Sequence, residues 1–133
     1  MSDGNEETLR RVYRLWDEQD FDAMDELVDP EAVFDVSRNV FNPGVHRGLD
    51  GFREFARGID EIWENFRVVL EEFAEVGDKI VVTHRISGRG RDSGVDAEMR
   101  LFAVCVFRDR RILRFTGGFR ERDEALRAAE ALE

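Results

Sequence analysis

Between Val95 and Phe107 apolar and polar positions alternate as they do in an extended strand. One phase (Val95, Ala97, Met99, Leu101, Ala103, Cys105, Phe107) is apolar throughout. The other is charged at Asp96, Glu98 and Arg100, then apolar at Phe102, Val104 and Val106. This pattern predicts a long strand with one wet face in its first half and cover on both faces in its second. Residues 66–76, 79–89 and 112–120 alternate in the same way, and turn signals at Gly77-Asp78, at 91–94 and at Asp109-Arg110 separate them. Residues 32–36 make a further short strand. Gly88, Gly90, Gly117 and Gly118 in or beside strands predict bends or bulges.

Upstream, the period is helical. Leu9, Val12, Tyr13 and Trp16 form one stripe over residues 6–19. Asp20 predicts the cap of a short helix over 20–28, with Phe21, Met24, Leu27 and Val28 inward and Pro30 ending it. Asp50 predicts the cap of a third helix over 51–65, with Phe52, Phe55, Ile59, Ile62 and Trp63 as its stripe. Residues 37–48 have no period and predict a long loop. A last helix starts at Asp123, with Leu126, Ala129 and Leu132 on one face. Helices followed by strands predict an α+β fold. We expect a cone-shaped, curved antiparallel or mixed sheet packed against three N-terminal helices, with a short C-terminal helix, as a single domain over 1–133.

Composition narrows the function classes. The formal charge of −10 opposes a nucleic-acid partner. No apolar run approaches the ~20 residues that span a bilayer, so no membrane partner is expected. A polar, acidic start and a single cysteine, Cys105, fit a cytoplasmic protein. Two distant histidines and one cysteine give no metal-ligand spacing, and there is no glycine-rich phosphate loop or nucleophile elbow, so neither metal nor cofactor is expected.

Candidate chemistry rests on few residues. The apolar phase of the 79–89 strand is Ile80, Val82, His84, Ile86 and Gly88, which places His84 inside the cone. An imidazole there is either an acid–base group or a core histidine bonded to a carbonyl or hydroxyl. Asp35 adjoins the inward Phe34 and Val36, which favours a solvated or ion-paired role over a catalytic one. His46 lies on the loop before the third helix, by the expected mouth. Inward phases and helix stripes give the expected lining: Tyr13, Trp16, Phe34, Val36, Phe55, Ile59, Trp63, Val82, Met99, Leu101 and Ala103. Cys105, in an apolar phase, reads as a buried thiol. Arg85, Arg89, Arg91 and Arg100 have acidic neighbours on adjacent strands and read as cross-strand pairs.

Four stretches carry a family resemblance: DFDAMDELVDPEAVFD (20–35), HRGLDGFREF (46–55), GRGRDSGV (88–95) and FRERDEALRAA (119–129). In this order they resemble the SnoaL-like polyketide cyclases, within the superfamily that has the nuclear transport factor 2 and ketosteroid isomerase fold. The resemblance implies an α+β cone, a largely apolar pocket and often a dimer through the outer sheet face. It implies no reaction, since one fold hosts many. The base position of ketosteroid isomerase falls on Val36, its oxyanion tyrosine on Val12 beside Tyr13, and its protonated aspartic acid near Ala103. That mechanism therefore lacks its groups here.

Three functions remain open. The first is a pocket protein acting on a small apolar, carbonyl-bearing ligand, with His84 as acid or base and Asp35 or His46 assisting. The second is a non-catalytic binder of such a ligand. The third is a dimeric module with a vestigial cavity. A homodimer is expected because Phe102, Val104 and Val106 need cover on the outer face; the C-terminal helix folding back over them is the alternative.

Overall fold

The alternating stretches form one curved sheet of six strands. These are β1 (Val28–Asp35), β2 (Val45–Arg47), β3 (Trp63–Val76), β4 (Lys79–Gly90), β5 (Asp96–Arg108) and β6 (Arg111–Phe119). Their order is β2-β1-β6-β5-β4-β3. Every neighbouring pair is antiparallel except β1 with β6, so the sheet is mixed. Helices α1 (Ser2–Glu18), α2 (Gly48–Ile62) and α3 (Arg122–Ala131) and a 3-10 helix (Asp22–Leu27) complete the α+β architecture. This computed structural model describes residues 2–39 and 43–131; Leu132, assigned above to the last helix's apolar face, lies outside them.

Two apolar layers follow from strand alternation. On the inner face, Ile80, Val82, Ala103, Cys105 and Phe115 pack against Leu9, Val12, Tyr13 and Trp16 of α1 and Phe52, Phe55 and Ile59 of α2. On the outer face, Val81, Val104 and Phe119 pack against Ala125 and Ala129 of α3, with Phe102 and Leu126 at the edge. Of the three outer apolar positions named above, α3 covers Val104 and partly Phe102, while Val106 is half-buried and outside this cluster. Val104 is fully buried without a second copy.

Several boundaries differ from the sequence expectation, each for a local reason. The second helix is 3-10 and covers six residues, three fewer than the expected 20–28, and Asp20 Oδ1 accepts only a long bond of 3.4 Å from the Ala23 amide. Pro30 does not end a helix but lies inside β1, where the pairing with β6 is irregular between Val28 and Val33; a residue without an N–H fits there. Part of the 37–48 loop is strand: β2 pairs His46 with Phe34. Helix α2 starts at Gly48, so Asp50 sits in its first turn beside the helix dipole instead of capping it. It stops at Ile62, and Trp63 opens β3 instead of ending the helical stripe. Beyond Phe102, β5 has no β6 partner, since the pairing ends at Phe102 with Phe119. Its first half is therefore exposed on both faces, and Met99 is 40% exposed.

One bulge shapes the end of the sheet where the site lies. Phe102 pairs with Phe119 but Val104 pairs with Thr116, so β6 carries an extra residue at Gly117-Gly118. Gly118 has φ +87°, and a Cβ there would lie 2.5 Å from Asn39 Oδ1. The extra residue reverses the alternation: Phe115 faces the inner core while Phe119 faces α3.

Candidate functional site

Strand β4 carries His84 into the inner core, where it is 4% exposed. Tyr13, on the apolar stripe of α1, meets it: the phenolic oxygen is 2.7 Å from Nδ1. The helix places Tyr13 and Trp16 three positions apart on one face, so both rings reach the imidazole, at centroid distances of 5.6 and 6.3 Å. Phe115 lies parallel to it on the β6 side, at 6.4 Å and 8°.

The proton positions follow from counting donors. Tyr13 is buried and makes no other hydrogen bond among the described residues. A buried hydroxyl hydrogen without an acceptor is costly, so O–H donates and Nδ1 accepts. The neutral imidazole then carries its proton on Nε2. Burial pushes the His84 imidazole down to about 4, and the charge of Glu71 offsets only part of this. Burial likewise raises the Tyr13 phenol, with a smaller push from Cys105. Both groups are uncharged at neutral pH. His84 is therefore a neutral donor at Nε2, bonded on its other side to a hydroxyl.

Further along the inner face lies a cavity of about 110 Å³; His84 is not among its wall residues but is one strand position from them. Leu101, which pairs with His84, and Ile86, two residues along β4, are part of its wall. Ile59, Trp63, Phe66 and Met99 add apolar surface, while Arg38, Asn39, Ser87, Glu98 and Arg120 supply the polar part.

Of the expected lining residues, Ile59, Trp63, Met99 and Leu101 line the cavity. Tyr13, Trp16, Phe34, Val36, Phe55, Val82 and Ala103 lie in the packed core. His46 rests against Phe55 at 5.4 Å, and Phe55 in turn faces Trp16 at 6.5 Å, so two rings lie between His46 and His84. His46 Nε2 is buried without a hydrogen-bond partner among the described residues. Asp35 accepts from the Ser37 amide (3.1 Å), the Ser37 hydroxyl (2.6 Å) and Arg114 (3.2 Å). Burial alone would raise its carboxyl, but the Ser37 bonds and the Arg114 and Arg38 charges outweigh it and the net shift is downward. Asp35 is thus the ion-paired group that strand alternation predicts.

The sequence reading missed Arg38, Asn39, Glu98 and Arg120 at the cavity. Only the Gly117-Gly118 pair hinted at a bend that brings Arg120 there. Among the described residues no group of three or more His, Cys, Asp or Glu side chains is placed to hold a metal ion, and no helix is long and apolar enough to cross a membrane. Cys105 is buried, and burial pushes its thiol up. The cross-strand pairs expected of the arginines are present: Arg85 and Arg100 both reach Glu71, at 2.7 Å, and Arg89 and Arg91 approach Glu64.

A mixed, curved six-stranded sheet with helices over an inner cavity defines an α+β protein with the nuclear transport factor 2-like fold. The model of the SnoaL-like domain matches residues 9–115, and the chain belongs to that family. Solved structures agree on the fold. An NTF2-like protein of unknown function from Burkholderia pseudomallei is 23% identical, with a TM-score of 0.75 over 96% of this chain and 98% of that one. Bal32a, from a soil-derived mobile gene cassette, is 21% identical with a TM-score of 0.79 over 93% and 97%. A putative polyketide cyclase from Sinorhizobium meliloti is 21% identical with a TM-score of 0.68 over 84% and 93%. No curated protein matches the sequence.

Proposed function

We propose that this chain binds a small, mostly apolar, carbonyl-bearing molecule in the inner cavity, with His84 Nε2–H donating to the carbonyl oxygen. The observation that carries this reading is the buried Tyr13–His84 pair, with His84 paired across the strands to Leu101 of the apolar cavity wall. A neutral imidazole donor polarises a carbonyl without placing a full charge in an apolar site. The Tyr13 hydroxyl behind Nδ1 holds the tautomer and orients the ring. This is the help acid–base chemistry at a carbon next to that carbonyl needs from its electrophilic side. The similarity in fold to a putative polyketide cyclase supports a ligand of this class.

A second reading, a binder without turnover, is favoured by one observation. Asp35, the carboxylate considered as a base, is committed to Ser37 and Arg114. Both readings require the same ligand contact. Titration of 15N-labelled protein with 4-methylacetophenone tests it. Saturable shifts at the Ile59, Ile86 and Leu101 amides are expected, with several-fold weaker binding in a folded His84→Leu variant. No saturable binding to the wild type, or equal binding to the variant, overturns the proposal.

A further inference from the structure

Two arginines without a salt bridge to a described residue meet at the cavity mouth. Among the described residues nine arginines (Arg11, Arg53, Arg67, Arg85, Arg89, Arg91, Arg100, Arg108 and Arg114) are in salt bridges and the other ten are not. Arg38 and Arg120 both line the cavity, and neither is in a salt bridge with a described residue. The Arg38 guanidinium is set by stacking 4.4 Å over the Phe119 ring. Arg120 follows Phe119 directly, so the bulge that turns Phe119 outward also places Arg120 at the mouth. Asn39 joins them, packed against Gly118, where no side chain fits. The one acid in the cavity wall, Glu98, is paired with Arg85 at 3.6 Å. Asp35 feels Arg38 through space but is bonded to Arg114 and Ser37.

The mouth is thus locally cationic in a chain of formal charge −10. A net negative chain repels anions, and two neighbouring guanidinium groups offset that repulsion at the mouth. Guanidinium groups match the planar, two-oxygen geometry of a carboxylate. Resting on the ligand reading above, we propose that the ligand is an amphipathic anion: an apolar body with its carbonyl toward His84, and a carboxylate at the mouth between Arg38 and Arg120. At about 110 Å³ the cavity is smaller than the ~150 Å³ that encloses benzene, so it takes at most one ring, with the carboxylate outside at the mouth.

The test compares 4-acetylbenzoate with its methyl ester by amide-shift titration at low and high salt. The acid is expected to bind at least tenfold more tightly than the ester at low salt and to lose most of that advantage at high salt. Arg38→Gln combined with Arg120→Gln should abolish the advantage of the acid over the ester at low salt. Ester binding equal to or tighter than acid binding at low salt would overturn the carboxylate proposal alone. Failure of both probes to bind would instead remove the ligand reading on which it rests. Acid preference that survives the double substitution would also overturn it, since the charge would then be read elsewhere.

Discussion

Replacing Tyr13 by Phe removes one oxygen and leaves every ring contact of the side chain available. The cost lies in what remains. His84 Nδ1, now 2.7 Å from its only hydrogen-bond partner, becomes a buried acceptor with none among the described residues. Leaving such a group unpaired costs about 1–3 kcal/mol, more than the net value of an ordinary hydrogen bond. His84→Leu creates the mirror defect, a buried Tyr13 hydroxyl without an acceptor, at a similar cost of about 1–3 kcal/mol. The double variant leaves neither defect, only two apolar side chains of similar bulk. Its destabilisation should therefore fall short of the sum of the single variants by roughly 1 kcal/mol or more. Urea unfolding of the four proteins at neutral pH measures this. Additivity within about 0.3 kcal/mol would refute the reasoning, because unlinked sites behave that way.

Three further outcomes follow from the same geometry. His84 has its pKa lowered from 6.5 to about 4 by burial, so the unfolded chain takes up the proton first; its contribution is complete above about 6.5 and is lost as pH falls toward 4, with a slope of up to ~1.4 kcal/mol per pH unit. Carboxylates held low, such as Asp17 with Arg67 and Glu71 with Arg100, lose their contribution from their ordinary range downward; unfolding titrations between about pH 5 and 6.5 should therefore flatten in His84→Leu. Gly118→Ala forces a side chain onto φ +87° and within 2.5 Å of Asn39 Oδ1; a loss of more than about 1 kcal/mol in thermal or urea unfolding is expected, and an unchanged stability would contradict the bulge. Cys105, fully buried with its thiol raised, should ignore an aromatic disulfide reagent in the native state and react once urea unfolds the chain.

The strand phases and the helix stripe were legible because they depend on neighbours in sequence. Alternation alone placed His84 among Ile80, Val82 and Ile86, facing the helices. It placed Asp35 off the inner face, where Arg114 holds it. The partner of His84 was not legible. Tyr13 lies 71 residues away, and only the docking of α1 on the sheet decides which stripe residue meets the imidazole. The sequence alternatives included a histidine bonded to a hydroxyl, which is the arrangement found. The mouth was hidden for a different reason. A single extra residue at Gly117-Gly118 reverses the side-chain phase, and a period-two pattern read across it gives Phe119 the wrong face. Among the outer apolar positions, Val104 and in part Phe102 have cover. That α3 supplies it depends on how the chain turns after Phe119, for which no periodicity exists. Met99 and Val95 show the opposite failure. They are apolar in phase yet exposed: Met99 because β5 runs past the end of its partner β6, Val95 because it precedes the strand.

Ring-nitrogen NMR of histidine-labelled protein, recorded across pH and on addition of 4-methylacetophenone, bears most directly on the account. One imidazole should remain neutral to near pH 4, carry its proton on Nε2, and respond at that nitrogen when the ketone binds. A protonated ring at pH 6, a proton on Nδ1, or an Nε2 signal indifferent to bound ketone would contradict it.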